Sequence, residues 1–494
     1  MTRNNKLRQK YNWLLCLISI LAVLLATLYP FDFSGFDSFS LSKIIISFKN
    51  ASSFQDQVNN ILLFMPLGFS LASGLQNLNI KKIRQILIVI LASFSLSLTV
   101  EFSQIFLPSR MPTPADLINN TLGGFLGLIC FQIWHNPSFS STVKQIENSR
   151  VSQSIQKIIG FCVGYIILAV LISFLWQTTT TLSNWDINYP LIIGNERTGD
   201  KPWQGYVSEL QIADRAISIS EVGKILDEPG YFEKFGDSLL ANYQLTGKCC
   251  YQDQTGKLPK LIWKGNPKNQ QESKGVFLSA EHWLQTSTPV TYLSNRISQT
   301  SEFTISTTVA TANLEQNGPA RILSVSGNSL RRNWTLGQQG NSLDFRLRTP
   351  ITGENGTELN LHIPNIFLDT KPHHLVITYS RATIQVYVDQ LQNAYSFNLI
   401  ELIPQQQRVF YYALTFIPLG IGLAILSLLA KGRLIFSQVV LYSGILIPSL
   451  ILEGILVSES GKTFNLKHLL LGITFTAGTI LVLKVRASQL KMRS

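Results

Sequence analysis

The sequence predicts a polytopic α-helical membrane protein with an all-β jelly-roll sandwich inserted between its spans. Three observations carry this. Only 14% of the 494 residues are charged while 46% are hydrophobic, which is too apolar for an ordinary soluble chain of this length. Apolar runs recur at roughly the 20 residues needed to cross about 30 Å of hydrocarbon. Between residues 178 and 408 they give way to short runs of alternating hydrophobicity separated by Gly, Asn, Pro and Asp, the pattern of half-buried antiparallel strands.

Taken in order, the chain opens with Arg3, Lys6, Arg8 and Lys10 and an apolar run from Trp13 to Leu28. No small-x-small cleavage site follows, so this reads as a retained helix rather than a signal peptide. Further spans are expected at about 58–75, 85–107, 116–134, 158–176, 409–430, 434–457 and 467–484, eight in all. The net charge of +12 does not point to nucleic acid, because Lys and Arg sit at the chain ends and in short loops. Lys81, Lys82, Arg84, Lys144, Arg150, Lys157, Lys431, Arg433 and the C-terminal tail all fall on one side. That side is cytoplasmic by the positive-inside rule, with both termini in and 178–408 periplasmic or extracellular. The expected organisation is a membrane region at 1–176, the sandwich at 178–408 and a second membrane region at 409–494. Cys16, Cys130 and Cys162 lie in apolar runs and read as unremarkable thiols, while the adjacent Cys249 and Cys250 could close a vicinal disulfide. The spacing shows no disulfide framework and no metal-ligand pattern.

Within the insert, HHLVITYSRATIQVYVDQ at 373–390 and LIIGNERTGDKPWQGYVSELQIADRAIS at 191–218 resemble the laminin-G and concanavalin-A-like sandwiches. In that family the second type of segment closes the domain. Here it comes first, so the resemblance implies a circular permutation, which a sandwich tolerates because its ends lie close together. Gln390 stands where the family pattern ends in Gly. Trp185, Trp203, Trp263, Trp283 and Trp334 are either sugar-stacking platforms or core. Related domains hold calcium, but no Asp cluster here matches a loop motif, and no cofactor is expected.

An internal repeat runs through the membrane part. FMPLGFSLA at 64–72 recurs as FIPLGIGLA at 416–424, and SLTVE at 97–101 as SLILE at 449–453, both at an offset of 352 residues. The same offset pairs Arg110 with Lys462 and Asp116 with His468. Spans 2–4 and 6–8 are therefore expected to be copies of one unit, as part of two four-helix repeats. Parallel repeats of this kind place their sites between the halves.

Polar residues interrupt the apolar spans at one end. Asp56, Asn59 and Asn60 open span 2, Glu101 and Gln104 close span 3, Arg110 lies in the turn, and Asp116, Asn119 and Asn120 open span 4. An ionisable group at membrane depth is costly and is a functional candidate by default. The competing reading is structural, since Asp and Asn are ordinary helix caps and polar side chains bind helices together. These residues form the ligand-binding candidates, with Glu453, Lys462 and His468 as their second-copy counterparts. Gly68, Gly123, Gly124 and Gly127 are expected to permit close helix packing.

DQVNNILLFMPLGF, EFSQ and the run from Arg110 through Asp116 to LINNTLGG resemble the VanZ family, over a core at 56–134. Thr113 stands where family proteins commonly carry Asp. The resemblance implies a bacterial cell-envelope protein of the cytoplasmic membrane, connected with envelope maintenance or glycopeptide resistance. Three functions are then open. The first is binding of a lipid or lipid-linked headgroup at the outer leaflet, with the sandwich recognising glycan or protein. The second is an enzyme acting on such a lipid, with Glu101 or Asp116 as general base. The third is a membrane anchor for a lectin-like receptor domain. The absence of His, Cys and Lys from the first constellation weighs against the enzyme.

Overall fold

The computed structural model describes residues 3–33, 54–76, 78, 80–107, 113–135, 138–246, 251–266, 275–356, 359, 361–430 and 433–491. Arg110 and the Cys249-Cys250 pair lie outside these residues. The chain divides into two compact units, Met1–Ser149 with Lys484–Ser494, and Arg150–Leu483.

The first unit is helical: α1 (Arg3–Leu28), α2 (Phe54–Gln76), α3 (Lys82–Gln104), α4 (Pro114–His135) and the short α5 (Ser138–Glu147). The boundary of α4 is written in its sequence. Pro114 occupies the first helical position, where a missing N–H costs nothing. Thr113 caps the helix, its Oγ1 accepting from the Asp116 N–H at 3.2 Å. The helix α3 is polar inside and apolar outside. It buries Gln85, Ser93, Ser97 and Gln104 along with Val89 and Val100, while Leu87, Leu91, Phe94 and Leu98 are exposed. Water would select the reverse arrangement. A hydrocarbon solvent gives no penalty for exposed Leu and a severe one for exposed amides, so this helix is built for a membrane. Two apolar clusters close the bundle, Cys16, Val23, Phe64, Leu67 and Val100 in one and Ala72, Leu75, Val89, Leu128 and Phe131 in the other.

The second unit begins with α6 (Ile155–Thr178) and continues into the insert. Its strands are β1 (Leu191–Ile193), β2 (Gly205–Ala213), β3 (Leu239–Gln244), β4 (Leu261–Gly265), β5 (Val276–Leu278), β6 (His282–Thr286) and β7 (Phe303–Thr311). They are followed by β8 (Ala320–Asn328), β9 (Arg331–Gln339), β10 (Ser342–Leu347), β11 (His362–Ile363), β12 (His373–Ser380), β13 (Thr383–Val388) and β14 (Gln390–Asn398). One sheet has the order β11-β10-β9-β8-β1-β6-β4, and the other β14-β13-β12-β7-β2-β3, with β5 also on β2. The pairing is antiparallel, as the alternation requires. Ile305 faces Ile377 across β7 and β12, and both are buried.

The β12–β13 turn uses Arg381 and Ala382, both with positive φ, and Asp389 after β13 has φ 61. The turn at Gln390 is thus made one residue earlier, by an Asp in the left-handed region rather than by Gly, which Asp tolerates better than most residues. Trp185, Trp203 and Trp334 are buried in the sandwich, so for these three the sugar-platform reading gives way to core. Trp203 donates Nε1–H to Gln338 at 2.8 Å. The alternation did not announce α7 (Ile219–Asp227), α8 (Thr291–Thr300), the 3-10 turn Tyr231–Ser238 or the short α9 (Leu399–Leu402).

Helices α10 (Gln405–Leu429), α11 (Leu434–Ser460) and α12 (Leu466–Lys491) complete the chain. In this unit the sandwich and helices share one hydrophobic cluster. Trp176 of α6 meets Tyr412 edge-on at 5.4 Å and donates to Thr415 at 2.9 Å. Asn398, at the end of β14, donates to the Ser460 carbonyl at 2.7 Å. Helices thus occupy all eight predicted places. Among the described residues six are long and apolar enough to cross a membrane: 56–76, 82–104, 155–178, 407–429, 435–460 and 466–486. Trp13–Leu28 is a shorter apolar stretch.

Candidate functional site

The C-terminal end of α3 and the N-terminal ends of α2 and α4 meet at one end of the first unit. Ser97 and Glu101 are one turn apart on α3, and Asp116 and Asn120 one turn apart on α4, so each pair lies on one helical face. The two faces meet. Asn120 donates Nδ2–H to Ser97 Oγ at 2.9 Å, and the Thr113 N–H donates to Glu101 Oε2 at 3.1 Å. From the third helix, Asn60 donates Nδ2–H to Asp116 Oδ1 at 2.7 Å. The negative charge of Asp116 bears on Glu101 across the cluster.

The cluster is possible because the helices nearly touch. A Cβ on Gly123 would lie 2.9 Å from the Ile61 carbonyl carbon and nearer still to its oxygen, and one on Gly68 would lie 2.8 Å from the Gly124 Cα. These glycines do permit close packing, as the sequence led us to expect.

The polar triplets split. Asn60, Glu101, Asp116 and Asn120 come together, whereas Asn59 is exposed in an open groove with Ile18, Ala22, Leu63 and Pro66. Asn119 is half-buried and Asp56 exposed at the first turn of α2. The reason is angular: positions i+3 and i+4 are about 100° apart around a helix, so only one of the two can follow a neighbour. Gln104 turns from Glu101 to α1, donating to the Thr27 carbonyl at 3.0 Å. Sequence reasoning missed Ser97 and the part played by Thr113. Ser97 could have been found one turn before Glu101, and Thr113 as the capping residue before Pro114. Among the described residues no group of three or more His, Cys, Asp or Glu is placed to hold a metal.

The residues 352 positions on sit in matching contacts within the second unit. The Asn465 N–H donates to Glu453 Oε1 at 2.8 Å, as Thr113 does to Glu101. Tyr412 and His468 pack with ring centroids 6.1 Å apart, where the first unit joins Asn60 to Asp116. A Cβ on Gly472 would lie 2.6 Å from Ser449 Oγ, where the first unit joins Asn120 to Ser97. The charges differ. Lys462 Nζ pairs with Glu453, their side chains only 1% and 2% exposed. Arg408 bonds His468 and donates to the carbonyls of Ile400, Glu401 and Ile403 at 3.1, 2.9 and 3.0 Å. Glu401 accepts from Thr463 through its backbone at 2.7 Å and its hydroxyl at 2.6 Å. Burial alone would raise the Glu401 carboxyl. The Thr463 hydrogen bonds outweigh it and hold the group below its ordinary value.

The sandwich also carries a buried charged cluster that the sequence did not reveal. Glu196, Arg321 and Arg332 are almost fully buried, with Arg321 Nε 3.6 Å from Glu196 Oε2. Burial drives Arg321 down to about 10 and Arg332 down to about 9, with repulsion from neighbouring arginines adding to it.

Residues 15–135 match the family model described as VanZ/LLP1. Over these residues the N-terminal membrane part is similar to that family. The match takes in α1 as well as the predicted core at 56–134, in keeping with the Gln104–Thr27 bond that ties α1 to α3. No curated protein and no solved structure matches the chain. The VanZ-like part contains Asn60, Glu101, Asp116, Asn120 and the glycines that bring them together.

Proposed function

We propose that this VanZ-like cell-envelope protein binds a lipid or lipid-linked headgroup at the outer leaflet of the bacterial cytoplasmic membrane. In this reading its sandwich recognises an extracytoplasmic glycan or protein. The observation that carries the reading is the convergence of Asn60, Glu101, Asp116 and Asn120 from three helices at one end of an apolar bundle. Two carboxylates at a membrane-embedded helix junction are more than capping requires. Arg110 supplies the phosphate contact through charge-assisted hydrogen bonds, and the amides read hydroxyls. Binding rather than catalysis is favoured because, among the described residues, the cluster holds no His, Cys or Lys. The membrane part crosses eight times with both termini cytoplasmic, and helices α2–α4 and α10–α12 are copies of one unit.

The test is mass spectrometry of lipids copurifying with the wild type, Arg110→Ala and Glu101→Gln. A lipid class retained by the wild type and lost in folded variants supports the reading. Identical lipid profiles in all three would reject a headgroup site. Cysteine labelling at exposed sandwich positions in intact cells checks the orientation.

A further inference from the structure

The buried arginines of the sandwich carry more positive charge than the carboxylates around them meet. Alternation along β8–β10 sends Leu323, Val325 and Leu336 into the core. Ser324, Thr335 and Arg346, which face one another across the three strands, turn to the other side of the sheet. One step along the strands, Gly337 lies between Arg321 and Asp344. A register shift brings Arg332 opposite Ser326, and its Nη1 reaches to 3.5 Å from Thr335 Oγ1. Arg321, Arg332 and Arg346 thus draw together over a floor of Ser, Thr and Gly, close enough for each buried arginine to feel the repulsion of its neighbours.

Their partners fall short. Arg346 Nε is held by Asp344 at 2.9 Å, and Arg321 Nε faces Glu196, which also accepts from Ser326. Among the described residues, Arg321 Nη1 and Arg332 Nε have no acceptor, although the two residues are only 1% and 0% exposed. Arg321, Arg332 and Arg346 set three positive charges against the two negative ones of Glu196 and Asp344. A buried N–H without an acceptor and a buried charge without a counter-charge are both costly, and one anion relieves both. Water would answer the donors and leave the charge.

We propose that the sandwich encloses a small monovalent inorganic anion, chloride or an ion of its size, between the Arg321 and Arg332 guanidinium groups. Both donors are closed to solvent, so the occupant is one the domain can fold around rather than the acid group of a glycan or peptide, which arrives with a chain attached. The site makes the stability of the sandwich depend on the halide around it. It stands independently of the headgroup reading.

The full-length protein in detergent is melted in sodium chloride and in sodium gluconate of equal ionic strength, read by the fluorescence of the tryptophans, and binding of radiolabelled chloride is measured by equilibrium dialysis. The expected result is saturable chloride binding, with a melting temperature that rises with chloride and levels off. For a domain of this size the rise should be roughly 5 °C at a hundredfold excess over the dissociation constant. Arg332→Gln removes the excess charge together with the Nε donor and should lose both the binding and the rise. Should that variant fail to fold, Arg332→Lys keeps the charge without the guanidinium donor and should weaken chloride binding about tenfold, the scale of one charge-assisted hydrogen bond. No chloride bound by the wild type overturns the inference, and so does a rise that never levels off and is larger in sulfate, the mark of a general salt effect. Chloride binding undiminished in these variants also overturns it, by placing the ion elsewhere.

Discussion

Gly123→Ala tests whether helix proximity makes the site. The added methyl would stand 2.9 Å from the Ile61 carbonyl carbon and nearer to its oxygen, against about 3.5–4.0 Å for an unstrained carbon contact. Both obstacles are backbone, so no side chain can swing aside, and α4 must retreat from α2 by roughly 1 Å. The Asn60–Asp116 bond, 2.7 Å long, would then exceed the distance at which a hydrogen bond holds. Overpacking costs about 1–3 kcal/mol and a lost bond to a charged group about 1.5–3 kcal/mol, against a helix-propensity gain for Ala of about 1 kcal/mol. The expected net loss is roughly 1.5–5 kcal/mol, together with loss of lipid retention. Gly160→Ala is the control, because nothing lies within 4 Å of its added Cβ. Thermal unfolding in detergent, followed by size-exclusion chromatography, reads the difference. A Gly123→Ala protein as stable as Gly160→Ala, with lipid retention intact, would refute the packing argument.

Three further predictions address the second unit. Lys462→Met strands the buried Glu453 carboxylate and should cost about 3–5 kcal/mol; Lys462→Met with Glu453→Gln should regain most of it, both read by melting in detergent. Ser218 caps α7 in a reciprocal box with Glu221, so Ser218→Ala should cost about 1 kcal/mol, measured the same way. Glu401 has a lowered pKa in the folded state. Its contribution is therefore complete above the ordinary carboxylate value and is lost as pH falls through the lowered one. A pH titration of stability should lose that acid-limb step in Glu401→Gln.

The fold and the site were legible to different depths for a physical reason. Hydrophobic runs and period-two alternation report the solvent each segment meets, so the helices and the two sheets could be read directly. The helices α7 and α8 sit inside a strand-rich stretch, and α9 spans four residues, Leu399–Leu402, too few for a period to show. For the site, polar residues in apolar runs marked the right helix ends, but spacing alone could not choose among them. Asn59 and Asn60, or Asn119 and Asn120, are equally polar, and only the angle at which helices meet selects Asn60 and Asn120. That angle is set by Gly68, Gly123 and Gly127, where the helices approach backbone to backbone. Glycine marks a close approach without naming the partner. At the positions 352 residues on, different side chains occupy comparable contacts. Gly420 still lets helices approach, a Cβ there meeting the Thr476 carbonyl at 3.0 Å, while Tyr412 and His468 fill by ring packing the place that Asn60 and Asp116 fill by a hydrogen bond. What the second unit adds at these positions is a charge met from within, since the buried Lys462 ammonium pairs with Glu453.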